Sequence, residues 1–188
     1  DREIKEDIVK KALNLETGQC IVDCGAHIGD GSIPIAHALK MSDREDIIVY
    51  AIDPSPDKCN YIRFLARLNN LRNIRVINVG LSAKKVILFP NVPKDTNTGG
   101  TVWLPTKVNK NKNAGEYSVG ESRVFNTLDN LVSRNAIKEK IGIIHLDVEG
   151  HEIDAIRGGI KTIMRDLPYL TLEDNENTDM KRMKRLLK

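Results

Sequence analysis

A glycine-rich segment near the start of the chain limits the possible folds more than any other part of the sequence does. It reads D-C-G-A-H-I-G-D-G at residues 23–31. It follows a short apolar run at residues 20–22 and precedes a helix-like segment at residues 32–39. Glycine permits positive φ and close approach of the backbone to a ligand, and the first N–H groups of a helix attract negative groups. The segment therefore predicts a strand, a tight turn and a helix start that together bind a charged ligand.

The spacing of the glycines indicates the kind of ligand. A dinucleotide-binding turn reads G-x-G-x-x-G, whereas this chain reads D-x-G-x-x-x-G with Asp23 at the strand tip. An acid beside the turn repels phosphate and suits a cationic ligand such as S-adenosylmethionine (SAM), although an ordinary tight turn or another nucleotide loop is the alternative. We expect Gly25 and Gly29 to surround the methionine part, and Asp23 to lie near its ammonium group, directly or through water. The predicted cofactor-binding residues of this segment are Asp23, Gly25, Ala26, His27 and Gly29.

Apolar runs alternate with helix-period segments along most of the chain, which predicts an α/β fold. We expect one domain, residues 1–188, with a doubly wound, mostly parallel sheet, helices on both faces and right-handed crossovers. Residues 84–123 lack a helical period and read as an insertion of strands and long loops that covers the substrate. The predicted strands lie at residues 20–24, 47–52, 74–79, 141–148 and 169–172, and the predicted helices at 4–13, 32–39, 55–69, 127–135, 151–164 and 178–188.

Acidic residues stand where the predicted strands end, and ligands of doubly wound sheets bind at that edge. Asp53 closes the second strand, where a carboxylate can accept both hydroxyls of a ribose. A helix-capping aspartate is the alternative interpretation. We expect adenine to lie between Pro54–Ser55 on one side and Gly80, Leu81 and Ser82 on the other.

A second dense cluster, D-V-E-G-H-E at residues 147–152, follows the fourth strand. Acids suit a helix N-terminus, which accounts for Glu152 but not for both Asp147 and Glu149. Carboxylates that share a cleft raise one another's pKa, as a proton acceptor requires. We therefore predict that this cluster orients and deprotonates a substrate; with Glu173 it could instead hold a divalent cation, and we favour no metal.

Composition excludes several other classes of protein. The net charge of +3, from 29 basic and 26 acidic residues, is too small to indicate nucleic-acid binding. Cys20, Cys24 and Cys59 form no C-x-x-C pair, and their odd number argues against a disulfide framework, so we expect reduced thiols and a cytoplasmic location. No apolar run reaches the roughly 18 residues of a membrane span, and no signal peptide is recognisable.

Taken together, these motifs resemble the FkbM-type methyltransferase family, class I enzymes that use SAM. The resemblance covers residues 18–175, and the D-V-E-G-x-E segment is its most specific part. The matching segments are V-D-C-G-A-H-I-G (22–29), Y-A-I-D-P-S-P (50–56), G-L-S (80–82), T-L-D (127–129), I-H-L-D-V-E-G-H-E (144–152), R-G-G (157–159) and L-E (172–173).

The resemblance implies O-methylation of a hydroxyl on a sugar, glycan or small natural product. Our own hypothesis for the mechanism is that Glu149, with Asp147 and His151, orients and deprotonates the acceptor, that Glu173 helps to shape its pocket, and that Asp147 also contacts the cofactor. The family typically has Asn at position 27, Glu at position 53 and often Ala at position 151, where this chain has His, Asp and His. Family folds usually have seven strands and this sequence supplies about five, so we expect the last pair to be absent from it.

Two other functions fit the same pattern less well. An NAD-type oxidoreductase would need the dinucleotide glycine spacing, and a non-catalytic binding module would not need intact acids at positions 23, 53, 147 and 149. Methyltransferases of base amino groups carry an Asn/Asp-Pro-Pro-aromatic turn where this chain has D-V-E-G. Trp103, within the insertion, is equally consistent with a substrate cleft and with a local core.

Overall fold

A computed structural model describes residues 2–93, 101–105, 117–119 and 121–172 of the 188-residue chain. Several predictions concern residues outside this part of the chain. They are the candidate site residue Glu173, parts of the insertion predicted at 84–123 and the helix predicted at 178–188.

The described elements confirm the predicted alternation of helices and strands, with bounds that differ by a few residues. In chain order they are α1 (Arg2–Ala12), β1 (Gln19–Cys24), α2 (Ser32–Met41), β2 (Ile48–Asp53), α3 (Pro56–Leu68), β3 (Ile74–Asn78), β4 (Gly80–Leu81), β5 (Val86–Pro93), β6 (Val102–Leu104), β7 (Tyr117–Val119), β8 (Arg123–Asn126), α4 (Leu128–Ser133), β9 (Lys140–Leu146), α5 (Glu152–Gly158), α6 (Ile160–Asp166) and β10 (Tyr169–Leu172).

Five parallel strands form the main sheet, in the order β10-β9-β1-β2-β3. Helices α1, α2 and α3 pack on one face, where Ile21, Val49 and Ile143 are fully buried. Helices α4, α5 and α6 pack on the other face, against Val22 and Ile144. The order reverses between β1 and β9, so a crevice forms beyond the ends of these strands. The predicted doubly wound, mostly parallel α/β fold is confirmed.

The region predicted as an insertion contributes strands to a second sheet, here called the small sheet, in the order β4-β8-β5-β6 with β7 paired to β5. Strand β4 runs parallel to β8, and the remaining pairs are antiparallel. Because β4 follows β3 after a single residue, Val79, the small sheet begins at the carboxyl edge of the main sheet.

Local chemistry explains where several helices begin and end. Pro56 opens α3, where its missing N–H costs nothing. The Thr127 hydroxyl accepts a 3.0 Å hydrogen bond from the amide of Asn130 and so caps α4. The segment predicted as helical at 151–164 contains Gly158-Gly159, where we expect an interruption, and it is indeed divided at Gly159 into α5 and α6. Within the described ranges, no helix combines the length and the apolar character needed to cross a bilayer.

Candidate active site

A cavity of about 310 Å³ opens at the carboxyl edge of the main sheet, and we call it the strand-end cavity. Its size falls within the range of small-molecule sites. The main sheet, the loops that follow its strands and the small sheet all contribute to its wall. The lining residues are Cys24, Gly25, His27, Asp30, Ile52, Asp53, Pro54, Lys58, Val79, Gly80, Leu81, Thr101, Trp103, Phe125, Asp147, Val148 and Glu149.

The glycine-rich turn after β1 forms one wall of the cavity. Gly25 has φ +79°, and a Cβ there would lie 1.7 Å from the carbonyl oxygen of Asp147, so only glycine fits. The amides of Gly25 and Ala26 both donate to the carbonyl of Ile52, and the amide of Gly29 donates to Ala26. These amides already have protein acceptors, so the turn gives the wall its shape and does not present them as an anion site.

Asp53 joins this turn to the end of β2. Its Oδ2 accepts a hydrogen bond of 3.0 Å from the His27 amide, and its Oδ1 accepts one of 2.7 Å from the Ser55 amide. Each carboxylate oxygen can accept more than one hydrogen bond, so both can still receive a ligand hydroxyl. Burial raises the pKa of Asp53, opposed by the Ser55 amide, the Lys58 ammonium and the His27 amide.

His27 stands at a position of special backbone geometry. Its φ of +47° lies in the left-handed region, which asparagine and histidine occupy more readily than most residues. Burial and the charge of Lys58 lower the pKa of its imidazole, against the opposing charge of Asp30. The position thus serves to aim a backbone amide at Asp53, a requirement that the sequence pattern did not reveal.

Asp147 and Glu149 follow β9 and both line the strand-end cavity. The Asp147 amide donates to the carbonyl of Cys24 at 3.0 Å, which holds this segment against the glycine-rich turn. Glu149 has φ +51°, and strained backbone of this kind is frequent at functional sites. Glu152 is 1% exposed and accepts a 3.1 Å hydrogen bond from the Gly150 amide, a structural role in the same segment.

His151, predicted at the acceptor, lies behind the wall. Its ring packs edge-on against Phe125, with 5.6 Å between centroids, and Phe125 in turn contacts Trp103 at 5.4 Å. Burial lowers the pKa of His151 despite the nearby carboxylates of Asp154 and Glu152. In the described part of the chain, its buried Nε2 meets no hydrogen-bonding group. The imidazole thus supports an aromatic wall and is not among the residues that line the cavity.

Asp23, predicted near the ligand, also lies outside the lining. It is 3% exposed within β1, and its carboxylate accepts a hydrogen bond from the Ser32 hydroxyl at the start of α2. Its position ties the first strand to the following helix. Of the other predicted cofactor residues, six line the cavity: Gly25, His27, Asp53, Pro54, Leu81 and Asp147. The remaining four, Ala26, Gly29, Ser55 and Ser82, are not among its lining residues.

Sequence reasoning missed several residues of the wall. Lys58 occupies the first turn of α3, where Pro56 places it, but no pattern revealed that it lines the cavity. Asp30 and Thr101 were likewise not predicted, and Phe125 comes from β8 in the small sheet. Trp103 lines the cavity and packs on Phe125, with 5.4 Å between the ring centroids.

Burial lowers the pKa of Lys58, and the carboxylates of Asp53, Glu149, Asp147 and Asp30 oppose this effect. The described residues contain no group of three or more side chains arranged to hold a metal ion. The arrangement offers a buried carboxylate for a diol, a shaped glycine turn, and two further carboxylates, Asp147 and Glu149, in the lining of the same cavity.

Comparison with known proteins places this site in context. A family model described as "Methyltransferase FkbM domain" matches residues 23–188, and no curated protein matches the chain. The structure of Methyltransferase FkbM from Methylobacillus flagellatus KT is similar, with TM-score 0.59 and 19% identity, over 90% of this chain and 36% of that chain. The likeness shows the fold alone, and the chain spans about a third of that protein's length.

A structure of coclaurine N-methyltransferase, bound to N-methylheliamine and SAH, matches more weakly. Its sequence is 22% identical, its TM-score is 0.34, and the match covers 41% of this chain and 21% of that one. A score this low supports no conclusion about the present chain.

Proposed function

The chain belongs to the FkbM methyltransferase family, and on that basis we propose that it methylates a hydroxyl group of a sugar, a glycan or a small natural product with SAM as cofactor. The observation that carries the proposal is Asp53 at the wall of the strand-end cavity, fixed by the amides of His27 and Ser55. A carboxylate held in this way suits the two hydroxyls of a ribose.

The residues present fit SAM. Asp53 would hold the ribose, Pro54 and Leu81 would enclose the adenine, and Gly25 with Asp147 would border the methionine part. SAM supplies a methyl group on a positively charged sulfur, which the carboxylates of this cavity suit better than a phosphate would. Asp23 accepts a hydrogen bond from the Ser32 hydroxyl at the start of α2, and its proposed role is to hold β1 and α2 on either side of the turn that borders the cofactor.

The acceptor side is formed by Asp147 and Glu149 together with Trp103. Glu149 is the proposed proton acceptor, with Asp147 beside it to orient the hydroxyl, since a hydroxyl must lose its proton as the new bond forms. Trp103, supported by Phe125 and by His151 beneath it, supplies an apolar surface for the rest of the acceptor. Alignment of the two reactants accounts for most of the rate gain expected of such a site.

The cofactor claim is tested by calorimetric titration of the protein with SAM and with S-adenosylhomocysteine (SAH). Binding of both supports the proposal, and absence of binding by a folded protein rejects it. The reaction is tested by screening hydroxylated acceptors with methyl-labelled SAM. With an acceptor in hand, Glu149→Gln is expected to lose turnover while SAH affinity is kept, and Glu121→Gln, at an exposed position, is the control.

We also propose that the protein works in a reducing, cytoplasm-like compartment. Support comes from Cys20, Cys24 and Cys59, which are all buried and carry free thiols. Labelling of thiols in freshly prepared cell extract, before and after denaturation, tests this proposal.

A further inference from the structure

Lys58 is an unexpected side chain in a cavity proposed to bind a cation. It is the one lysine or arginine among the described residues of the wall. Its helix, α3, begins at Pro56, shortly after Asp53. Four carboxylates line the same cavity and interact with the Lys58 ammonium: Asp30, Asp53, Asp147 and Glu149.

The charges of the cavity explain why a lysine is tolerated there. Four acids that share a small, partly buried space repel one another, and a single internal cation offsets part of that repulsion. A ligand with a positive charge brings a second cation into the same space. Lys58 and such a ligand therefore compete for the same carboxylates and repel each other.

We infer that Lys58 determines how strongly the site discriminates between SAM and SAH, by opposing the positive sulfur of SAM. This inference rests on the proposed function. The two molecules share the ribose, the adenine and the amino-acid part, and they differ in the methyl group and in the charge on sulfur. An effect that Lys58 exerts through Asp53 on the ribose is common to both ligands, so the ratio of the two affinities isolates the effect of charge.

The experiment measures dissociation constants of SAM and SAH by calorimetry for the wild type, Lys58→Met, Lys58→Arg and Arg67→Met. Methionine keeps the length of the side chain and removes the charge, whereas arginine keeps the charge. Arg67 lies on the exposed side of the same helix, so Arg67→Met removes one cation outside the cavity. For Lys58→Met, Kd(SAM)/Kd(SAH) is expected to fall about three- to tenfold. The other two variants are expected to retain the wild-type ratio.

A ratio that is unchanged in Lys58→Met, or that changes equally in Arg67→Met, overturns the inference while leaving the proposed function intact. Failure of the wild type to bind either ligand rejects both together. Thermal melts with saturating SAH establish that each variant is folded. If Lys58→Met does not fold, Lys58→Gln replaces it in the same comparison, with the same fall in the ratio expected.

Discussion

The backbone amide of His27 donates a 3.0 Å hydrogen bond to Oδ2 of Asp53, a residue 26 positions later in the chain. This contact joins the glycine-rich turn after β1 to the end of β2, at the edge of the sheet where the strand-end cavity opens. Since Asp53 is only 4% exposed, the amides of His27 and Ser55 largely determine the orientation of its carboxylate. The proposed ribose site therefore depends on two segments at once.

Replacement of Asp53 by alanine is expected to weaken SAH binding by about tenfold to a hundredfold, because the ribose hydroxyls lose their charged acceptor. The amides of His27 and Ser55 lose theirs too, so stability should fall by about 1–3 kcal/mol. Calorimetry and urea unfolding measure the two effects. Asp57→Ala, exposed in the first turn of α3, is the matched control; equal loss of binding in both variants would contradict the assignment.

Gly25→Ala is expected to destabilise the protein by about 3 kcal/mol or more, because the new Cβ would overlap the carbonyl of Asp147. Gly18→Ala provides the control. Gly18 also has a positive φ, +86°, but a Cβ there would meet nothing within 4 Å, so about 1 kcal/mol of backbone strain is the whole expected cost. Chemical denaturation of both variants separates the overlap with Asp147 from backbone strain. Similar losses of stability in the two variants would refute the argument from overlap.

The Glu149→Gly variant is expected to be about 1 kcal/mol more stable than the Glu149→Ala variant, because residue 149 has φ +51°. At an ordinary position the sign is opposite, since glycine loses more conformational entropy on folding. Comparison of Glu149→Gly with Glu149→Ala by urea unfolding therefore reports on the backbone alone. Greater stability of the alanine variant would show that the left-handed geometry carries no strain.

Stability is expected to fall as the pH drops below about 6.5, in part because His151 is buried. Its pKa in the folded protein is lowered from the ordinary value of 6.5, so the unfolded chain takes up the proton more readily. The contribution of neutral His151 to the free energy of unfolding is complete above pH 6.5 and is lost as the pH falls toward the lowered pKa. The unfolding free energy of the wild type should drop more between pH 7 and pH 5 than that of His151→Gln. Parallel curves would exclude this residue as a source of the pH dependence.

Much of the fold was predictable, because its signals are local. The apolar run that became β2 and the proline that opens α3 determine their elements over a few residues. The glycine turn and Asp53 were likewise predicted as neighbours, since parallel strands end at a common edge. The small sheet was predicted only as strands and loops, because its pairings join residues far apart in sequence.

The site was predictable to a lesser degree. Asp53, Asp147 and Glu149 were expected at the site and line the cavity, whereas Asp23 and His151, also expected there, are not among its lining residues. Alternation along β1 tells which face of the sheet Asp23 joins, but it does not tell that Asp23 binds the Ser32 hydroxyl of α2. His151 lies after β9, at the start of α5, where no alternation applies, and its ring packs on Phe125 of β8.

By itself, the sequence determined the order of strands and helices, the glycine turn and the acids at the strand ends, because each follows from spacing and backbone chemistry within a short segment. Only the tertiary structure decided which side chains share the cavity. Lys58, Trp103 and Phe125 come from α3 and from two strands of the small sheet. Their meeting depends on how these elements pack, and no local pattern encodes it. The same packing directs the amides of the glycine turn to the carbonyl of Ile52 and the carboxylate of Asp53. The turn therefore shapes the wall of the cavity.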